Sequence, residues 1–308
     1  MSPICTIMCI AMSLWGCVLI VHLWLVVAPL TSCPDACLEV ITPFFTASGG
    51  CHCVYYHLRC TDNDTTSHLE ARLTPTLLGR DLHYVGLSHC DYLVDGLNAS
   101  ILQPFDHLAG FGIAFSPLTS FNVSASVLPK SLLYLELRYT SLRSIPELAA
   151  TLNESNVISL VLDGNAISIV PESVRTTWRK LLWLSVAEAN LSYIPLSVAT
   201  LPLLEYLDVH GNAITDVPVQ LLGARQLLSV SLATNRIRQV PSLFLQSPPS
   251  WLLDVSCNPL VSPASLPPWI LAAPCIDGCA PMLVGNGVCN RPCNTSQAHW
   301  DGGDCAFS

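Results

Sequence analysis

The sequence predicts an α/β repeat solenoid closed at both ends by cysteine-rich segments. Three observations predict it. A leucine pattern recurs every 23–25 residues through the middle of the chain. Twelve of the 15 cysteines fall in two groups on either side of that pattern. A charge-free leader and six N-x-S/T sequons direct the rest of the chain into an oxidising compartment.

The repeat is clearest in five copies. Residues 132–146 read LLYLELRYTSLRSIP, 157–171 VISLVLDGNAISIVP, 181–195 LLWLSVAEANLSYIP, 204–218 LEYLDVHGNAITDVP and 227–241 LLSVSLATNRIRQVP. The template is L-x-x-L-x-L-x-x-N-x-L-x-x-I-P. Its Asn position falls at Thr140, Asn165, Ala189, Asn212, Asn235 and Asn258, spaced 25, 24, 23, 23 and 23 residues apart. Weaker copies start at Leu82, with Cys90 at the Asn position, and at Leu108, with Ser116 there. One copy cannot bury its own leucines, so copies must stack into a continuous core. The Asn amide serves backbone groups that no strand pairs. The Pro begins the return, where its fixed φ and missing N–H cost nothing. Asn165, Asn212 and Asn235 are therefore structural. Ala189 lacks the amide, which predicts a looser turn there, and Asn190 beside it is an outward-facing sequon. This pattern resembles the leucine-rich repeat family. The resemblance implies about eight repeats over 82–262, a curved parallel sheet, and an irregular or short-helical convex side.

The ends of such a stack need covers. Cys33, Cys37, Cys51, Cys53, Cys60 and Cys90 mark an N-terminal cap over 33–81. Their pairing stays open. Cys90 is either a buried free thiol or a bridge to the cap, and Cys33, Cys37, Cys51 and Cys53 could instead bind zinc. At the other end, residues 275–308 hold Cys275, Cys279, Cys289, Cys293 and Cys305, after a connector over 263–274. They close on Trp300-Asp301-Gly302-Gly303-Asp304-Cys305, two carboxylates around a Gly-Gly turn, which suits the oxygen coordination of calcium. So small a segment needs disulfides and metal to hold it.

Together with Gly285-Asn286-Gly287-Val288-Cys289 and Cys293-Asn294, that ending is similar to the Notch-type (LNR) repeat. The resemblance implies calcium on Asn286, Asp301 and Asp304, and the bridges Cys279–Cys293 and Cys289–Cys305. Two departures stand out. Ala298 replaces a cysteine, which leaves Cys275 to pair with Cys257 in the last repeat. Leu283 replaces an acidic ligand, which lowers the expected calcium affinity.

Residues 1–32 form a signal peptide or an N-terminal signal anchor. Positions 4–30 carry no Asp, Glu, Lys or Arg over a length that can span a bilayer. Cleaved, they leave a secreted protein; retained, they tether it to the membrane. The sequons are Asn63, Asn98, Asn122, Asn153, Asn190 and Asn294.

Charge and motifs exclude several functions. With 13 Lys and Arg against 22 Asp and Glu, the net charge is −9, which speaks against nucleic acid. No H-E-x-x-H, G-x-S-x-G, P-loop or kinase signature is present, and the reading is of a non-enzyme. The concave face of the array is the candidate site. Aromatic and acidic side chains fall there in neighbouring strands: Tyr134, Glu136, Tyr139, Trp183, Tyr206 and Asp208. The expected function is extracellular or cell-surface recognition of a protein or glycan ligand, with a protein ligand or co-receptor as partner. A structural protein of the cell surface or wall is the alternative.

Overall fold

The computed structural model describes residues 33–41, 50–61, 65–246, 249–263 and 266–274, with 279, 289, 293 and 294. Asn63, Cys275, Leu283, Asn286, Ala298, Asp301, Asp304, Cys305 and the apolar segment 4–30 lie outside the described residues.

One eleven-stranded sheet runs in strict sequence order from β1 to β11. The eight template copies supply β3 (Tyr84–Ser88), β4 (Gly110–Ala114), β5 (Tyr134–Arg138), β6 (Ser159–Val161), β7 (Trp183–Ser185), β8 (Tyr206–Asp208), β9 (Ser229–Ser231) and β10 (Leu252–Asp254). All eight pair in parallel. The register aligns Tyr84, Gly110, Tyr134, Ser159, Trp183, Tyr206, Ser229 and Leu252. Strand side chains alternate between faces. The leucines between these positions, such as Leu135, Leu160, Leu184 and Leu207, therefore point together into one core and are almost fully buried. Short α- and 3-10 helices return the chain on the other side, including Glu147–Ala150, Leu196–Ala199 and Val219–Gly223. Large side chains fill the space under these returns. Phe105, Phe121, Trp178 and Phe244 are all buried, and Trp178 Nε1 donates to the Ala149 carbonyl at 2.7 Å.

The sheet continues past the template at both ends. In the cap, β2 (Cys53–Arg59) joins β3 in parallel, and β1 (Cys37–Val40) closes the edge antiparallel to β2. In the connector, β11 (Ile270–Leu271) pairs with β10. The cap cysteines pair as Cys33–Cys51, Cys37–Cys53 and Cys60–Cys90. That decides the two open questions. Cys90 is a bridge from the first repeat to the cap. Cys33, Cys37 and Cys51 come close together, but Cys33 is bonded to Cys51 and Cys37 to Cys53, so they offer no thiolate to zinc.

The Asn ladder is a chain of buried amides. Asn212 Nδ2 donates to the carbonyls of Val186, Val209 and His210 at 2.8, 3.0 and 3.2 Å, and its Oδ1 accepts from Leu191 N–H at 2.9 Å. Asn235 donates to the same Val209 carbonyl and accepts from Ile214 N–H. Asn258 repeats the pattern one rung beyond Asn235, and Asn165 two rungs before Asn212, across Ala189. Thr140 donates to Asn165 Oδ1 at 2.5 Å, and Ser116 Oγ accepts from Cys90 N–H at 3.0 Å. At Ala189 there is no amide to accept from Ile167 N–H, the position equivalent to Leu191 and Ile214.

Candidate functional site on the concave face

The residue before each ladder position has a left-handed backbone. Six of the eight are not glycine: His89, Phe115, Tyr139, Glu188, Thr234 and Cys257, with φ of 48–59°. The other two are Gly164 and Gly211. A side chain in this conformation leans along the stack over the next repeat. His89, Phe115 and Tyr139 stack ring on ring, with centroids 5.4 and 5.0 Å apart. The Tyr139 ring then lies across Gly164, where any Cβ would collide with it. Its hydroxyl reaches Glu188 Oε2 at 3.3 Å. Glu188 in turn lies against Gly211. The two glycines thus let an aromatic and an acidic side chain each span a whole repeat.

On the sheet itself, three columns face out. The first holds the aromatic side chains. Tyr55 and Tyr84 stack at 4.6 Å, and Tyr84 lies over Gly110 and Gly112, which have no side chain to stand in its way. Tyr134 is 46% exposed, and Trp183, 42% exposed, packs on Tyr206 at 4.9 Å. The second column runs Gly86, Gly112, Glu136, Val161, Ser185, Asp208 and Ser231. Arg138, Asp163 and His210 lie two residues on.

The acids here are already committed. Asp163 Oδ1 accepts from Ser185 Oγ at 2.5 Å and from Ala187 N–H at 2.9 Å. Burial raises its pKa, and these hydrogen bonds only partly offset that. Asp208 Oδ1 accepts from His210 N–H at 3.1 Å and pairs with His210 Nδ1 at 2.8 Å. Burial alone would raise the Asp208 pKa, but the bonds from His210 outweigh it and hold it low.

His210 is 7% exposed. Burial alone would lower its pKa. The Asp208 and Glu188 carboxylates outweigh burial and raise it from 6.5 to about 10. The stabilisation from this pairing is therefore complete below pH 6.5 and is lost as the pH rises through about 10. In an NMR titration, the His210 ring is expected to show no transition between about pH 5 and 8. A midpoint near the ordinary histidine value would contradict the buried ion pair.

Of the six residues expected at the site, the structure brings four together in two pairs. Trp183 packs against Tyr206 with the rings tilted by 31°, and Asp208 reaches Tyr139 through His210 and Glu188. Glu136 sits 3.7 Å from Arg138, and Tyr134 stands apart from Trp183 by one strand. Sequence reasoning missed His89 and Phe115. The signal was Gly164 and Gly211 directly before a ladder Asn, which marks that column as left-handed.

At the far end, Cys279 and Cys293 are bridged, as the resemblance implied. Cys257 and Cys289 are also disulfide-bonded, to partners outside the described residues. Cys257 Sγ lies 3.6 Å from the Cys279 carbonyl oxygen, so the last repeat touches the tail. Residues 272–306 match the family model for the Notch LNR domain. The chain thus has a leucine-rich repeat fold followed by an LNR domain.

Known proteins share parts of it. The MAP kinase phosphatase with leucine-rich repeats protein 1 of Dictyostelium discoideum is 33% identical over 88 residues, 27% of this chain and 11% of the relative. The PH domain leucine-rich repeat protein phosphatase 1 of Rattus norvegicus is 28% identical over 143 residues, 45% of this chain and 8% of the relative. Both matches are confined to the repeats, so the chain spans a small part of either relative's length. Among solved structures, human 5T4 (Wnt-activated inhibitory factor 1, trophoblast glycoprotein) aligns with TM-score 0.49 and 23% identity, over 59% of this chain and 72% of its own. An internalin of Listeria monocytogenes aligns with TM-score 0.48 and 19% identity, over 63% of this chain and 54% of its own. Among the described residues, no helix is long and apolar enough to cross a membrane.

Proposed function

We propose that this leucine-rich repeat protein is an extracellular or cell-surface recognition module that binds a protein or glycan ligand on its concave face, without catalysis. The observation that carries this reading is the Trp183–Tyr206 pair. Two aromatic rings packed 4.9 Å apart at a 31° tilt, with Trp183 42% exposed, stand beside carboxylates whose positions are already held by hydrogen bonds. Rigid aromatic anchors next to oriented polar groups are what binding hot spots require. The disulfides support an oxidising compartment. Described sequons at Asn98, Asn122 and Asn153 lie on exposed returns between strands, so glycans there would leave the concave face open. With residues 4–30 retained, the protein would be tethered, and signalling would need a co-receptor. Cross-linking capture from intact cells tests the reading. The Trp183→Ala/Tyr206→Ala variant is expected to lose the captured ligand; equal capture by this variant would overturn it.

The LNR domain is proposed to bind calcium through Asn286, Asp301 and Asp304. All three offer hard oxygen donors, and Leu283 offers none, so binding is expected to be weak. When bound, calcium would supply a cross-link between donors that are far apart in sequence. We further propose the bridges Cys257–Cys275 and Cys289–Cys305. Calcium is expected to raise the melting temperature of the full chain in a chelator-treated sample, and magnesium is not. A melting temperature indifferent to both would reject the calcium site.

A further inference from the structure

Histidines gather on one edge of the sheet, where the chain enters its first strands. β2, β3 and β4 lie in parallel register, with Tyr55 beside Tyr84 and Tyr84 beside Gly110. His52, Asp81 and His107 each stand three residues before these positions, so they enter on neighbouring rungs of the same edge. His83 follows Asp81 by two residues. Its ring lies against that of His107, with centroids 6.0 Å apart and planes 14° from parallel. Both His83 and His107 are exposed.

The contacts fix how His83 is presented. Its Nδ1 lies 2.7 Å from the Asp81 carbonyl oxygen. A carbonyl only accepts, so Nδ1 carries the hydrogen and the neutral ring keeps its lone pair on Nε2. Asp81 is itself held from the cap side, with His52 Nδ1 at 2.7 Å from its Oδ2. A backbone carbonyl on the far ring nitrogen is the usual support of a metal-bound histidine, because it sets both the tautomer and the ring angle. Among the described residues, the His107 ring is engaged only by its stacking on His83, which leaves both of its nitrogens open.

Two imidazoles side by side on neighbouring repeats can give nitrogen lone pairs to one ion. Imidazole nitrogen suits zinc, copper and nickel, whereas calcium and magnesium take oxygen. A zinc–nitrogen bond is about 2.0–2.1 Å, so one ion between two nitrogens spans about 4 Å at most. Closing on it takes a small side-chain rotation, which exposed residues make rapidly. Among the described residues, no third carboxylate, thiol or imidazole completes a set with this pair. Water would take the remaining positions, as it does at open zinc sites.

We infer that His83, through Nε2, and His107 together bind one divalent transition-metal ion, with zinc as its representative, and that the ion ties the first repeat to the second. β4 lies three strands from β7, which carries Trp183, so the inference stands apart from the concave ligand site. It is equally separate from the calcium proposed for the LNR domain, whose donors are oxygens.

The test is calorimetry of zinc chloride into the full chain, with calcium in excess throughout. Saturable zinc binding is expected, and His83→Ala and His107→Ala should each weaken it at least about tenfold. His68→Ala, on an exposed histidine of the cap helix Thr66–Arg72, should leave it unchanged. Both ligand side chains are exposed, so the variants should keep the fold, which circular dichroism without zinc checks. Zinc should also raise the melting temperature of the wild-type chain and not that of His83→Ala/His107→Ala. Absence of zinc binding overturns the inference. So does zinc binding that either single substitution leaves intact, since the ion would then rest on one imidazole or on other groups. An equal rise in melting temperature for wild type and double variant overturns the tie between the repeats. Calcium is already present, so each of these outcomes leaves the LNR reading where it was.

Discussion

Asn212→Ala is expected to lower the stability of the array by about 3 kcal/mol, because it strips partners from several buried backbone groups at once. The Asn212 amide serves the carbonyls of Val186, Val209 and His210, and accepts from Leu191 N–H. Only the Val209 carbonyl keeps another side-chain partner, from Asn235. The expected loss exceeds that of an ordinary surface substitution, which stays within about 0.5 kcal/mol. Asn212→Asp separates the causes. It keeps the shape and the acceptor but cannot donate to the three carbonyls, so it should cost as much or more. Urea unfolding followed by circular dichroism reads the effect as a lower midpoint. A loss below about 1 kcal/mol in both variants would mean that water replaces the amide in the turn. The converse substitution is Ala189→Asn. It supplies the missing rung to Ile167 N–H and should raise stability by about 1 kcal/mol.

Removing the Cys60–Cys90 bridge is expected to cost about 3–4 kcal/mol, the entropy of closing a loop of this length in the unfolded chain. The sequence separation is 30 residues, the longest of the four described bridges. The bridge also has a second role. Cys90 occupies a ladder position, so the cross-link stands where an Asn amide would otherwise hold the turn. Cys60→Ala/Cys90→Ala should therefore lose both the covalent tie and the rung. Cys60→Ala/Cys90→Asn should recover part of the loss, as a melting temperature between those of wild type and the double-alanine variant. Equal melting temperatures for the two variants would show that the ladder position matters little at this end of the array. The free edge of the cap would then depend on Cys33–Cys51 and Cys37–Cys53 alone.

The repeats and their register were legible because the leucine period allows one stacking only. A slip by one residue would turn Leu135, Leu160, Leu184 and Leu207 from core to solvent. The same period puts Tyr134, Ser159, Trp183, Tyr206 and Ser229 in one column. The structural role of Asn165, Asn212 and Asn235 was legible as well, since a recurring amide before a return has backbone to satisfy. The left-handed column was half legible. Gly164 and Gly211 announce it, but His89, Phe115, Tyr139 and Glu188 do not, because nothing local favours a non-glycine residue there. The cap pairing was not legible, since six cysteines allow fifteen connectivities.

By itself, then, the sequence determined the solenoid, the strand register, the buried ladder and the match of its tail to the LNR domain. Each follows from a periodic or spaced pattern that one packing satisfies. Only the tertiary structure decided that Cys90 ties the cap to the array, that Tyr139 and Glu188 bridge across glycines, and that Asp208 holds the buried His210. Those facts depend on distances of a few ångströms between side chains. No pattern along the chain encodes such distances; they emerge when the stacked core sets how closely neighbouring turns approach.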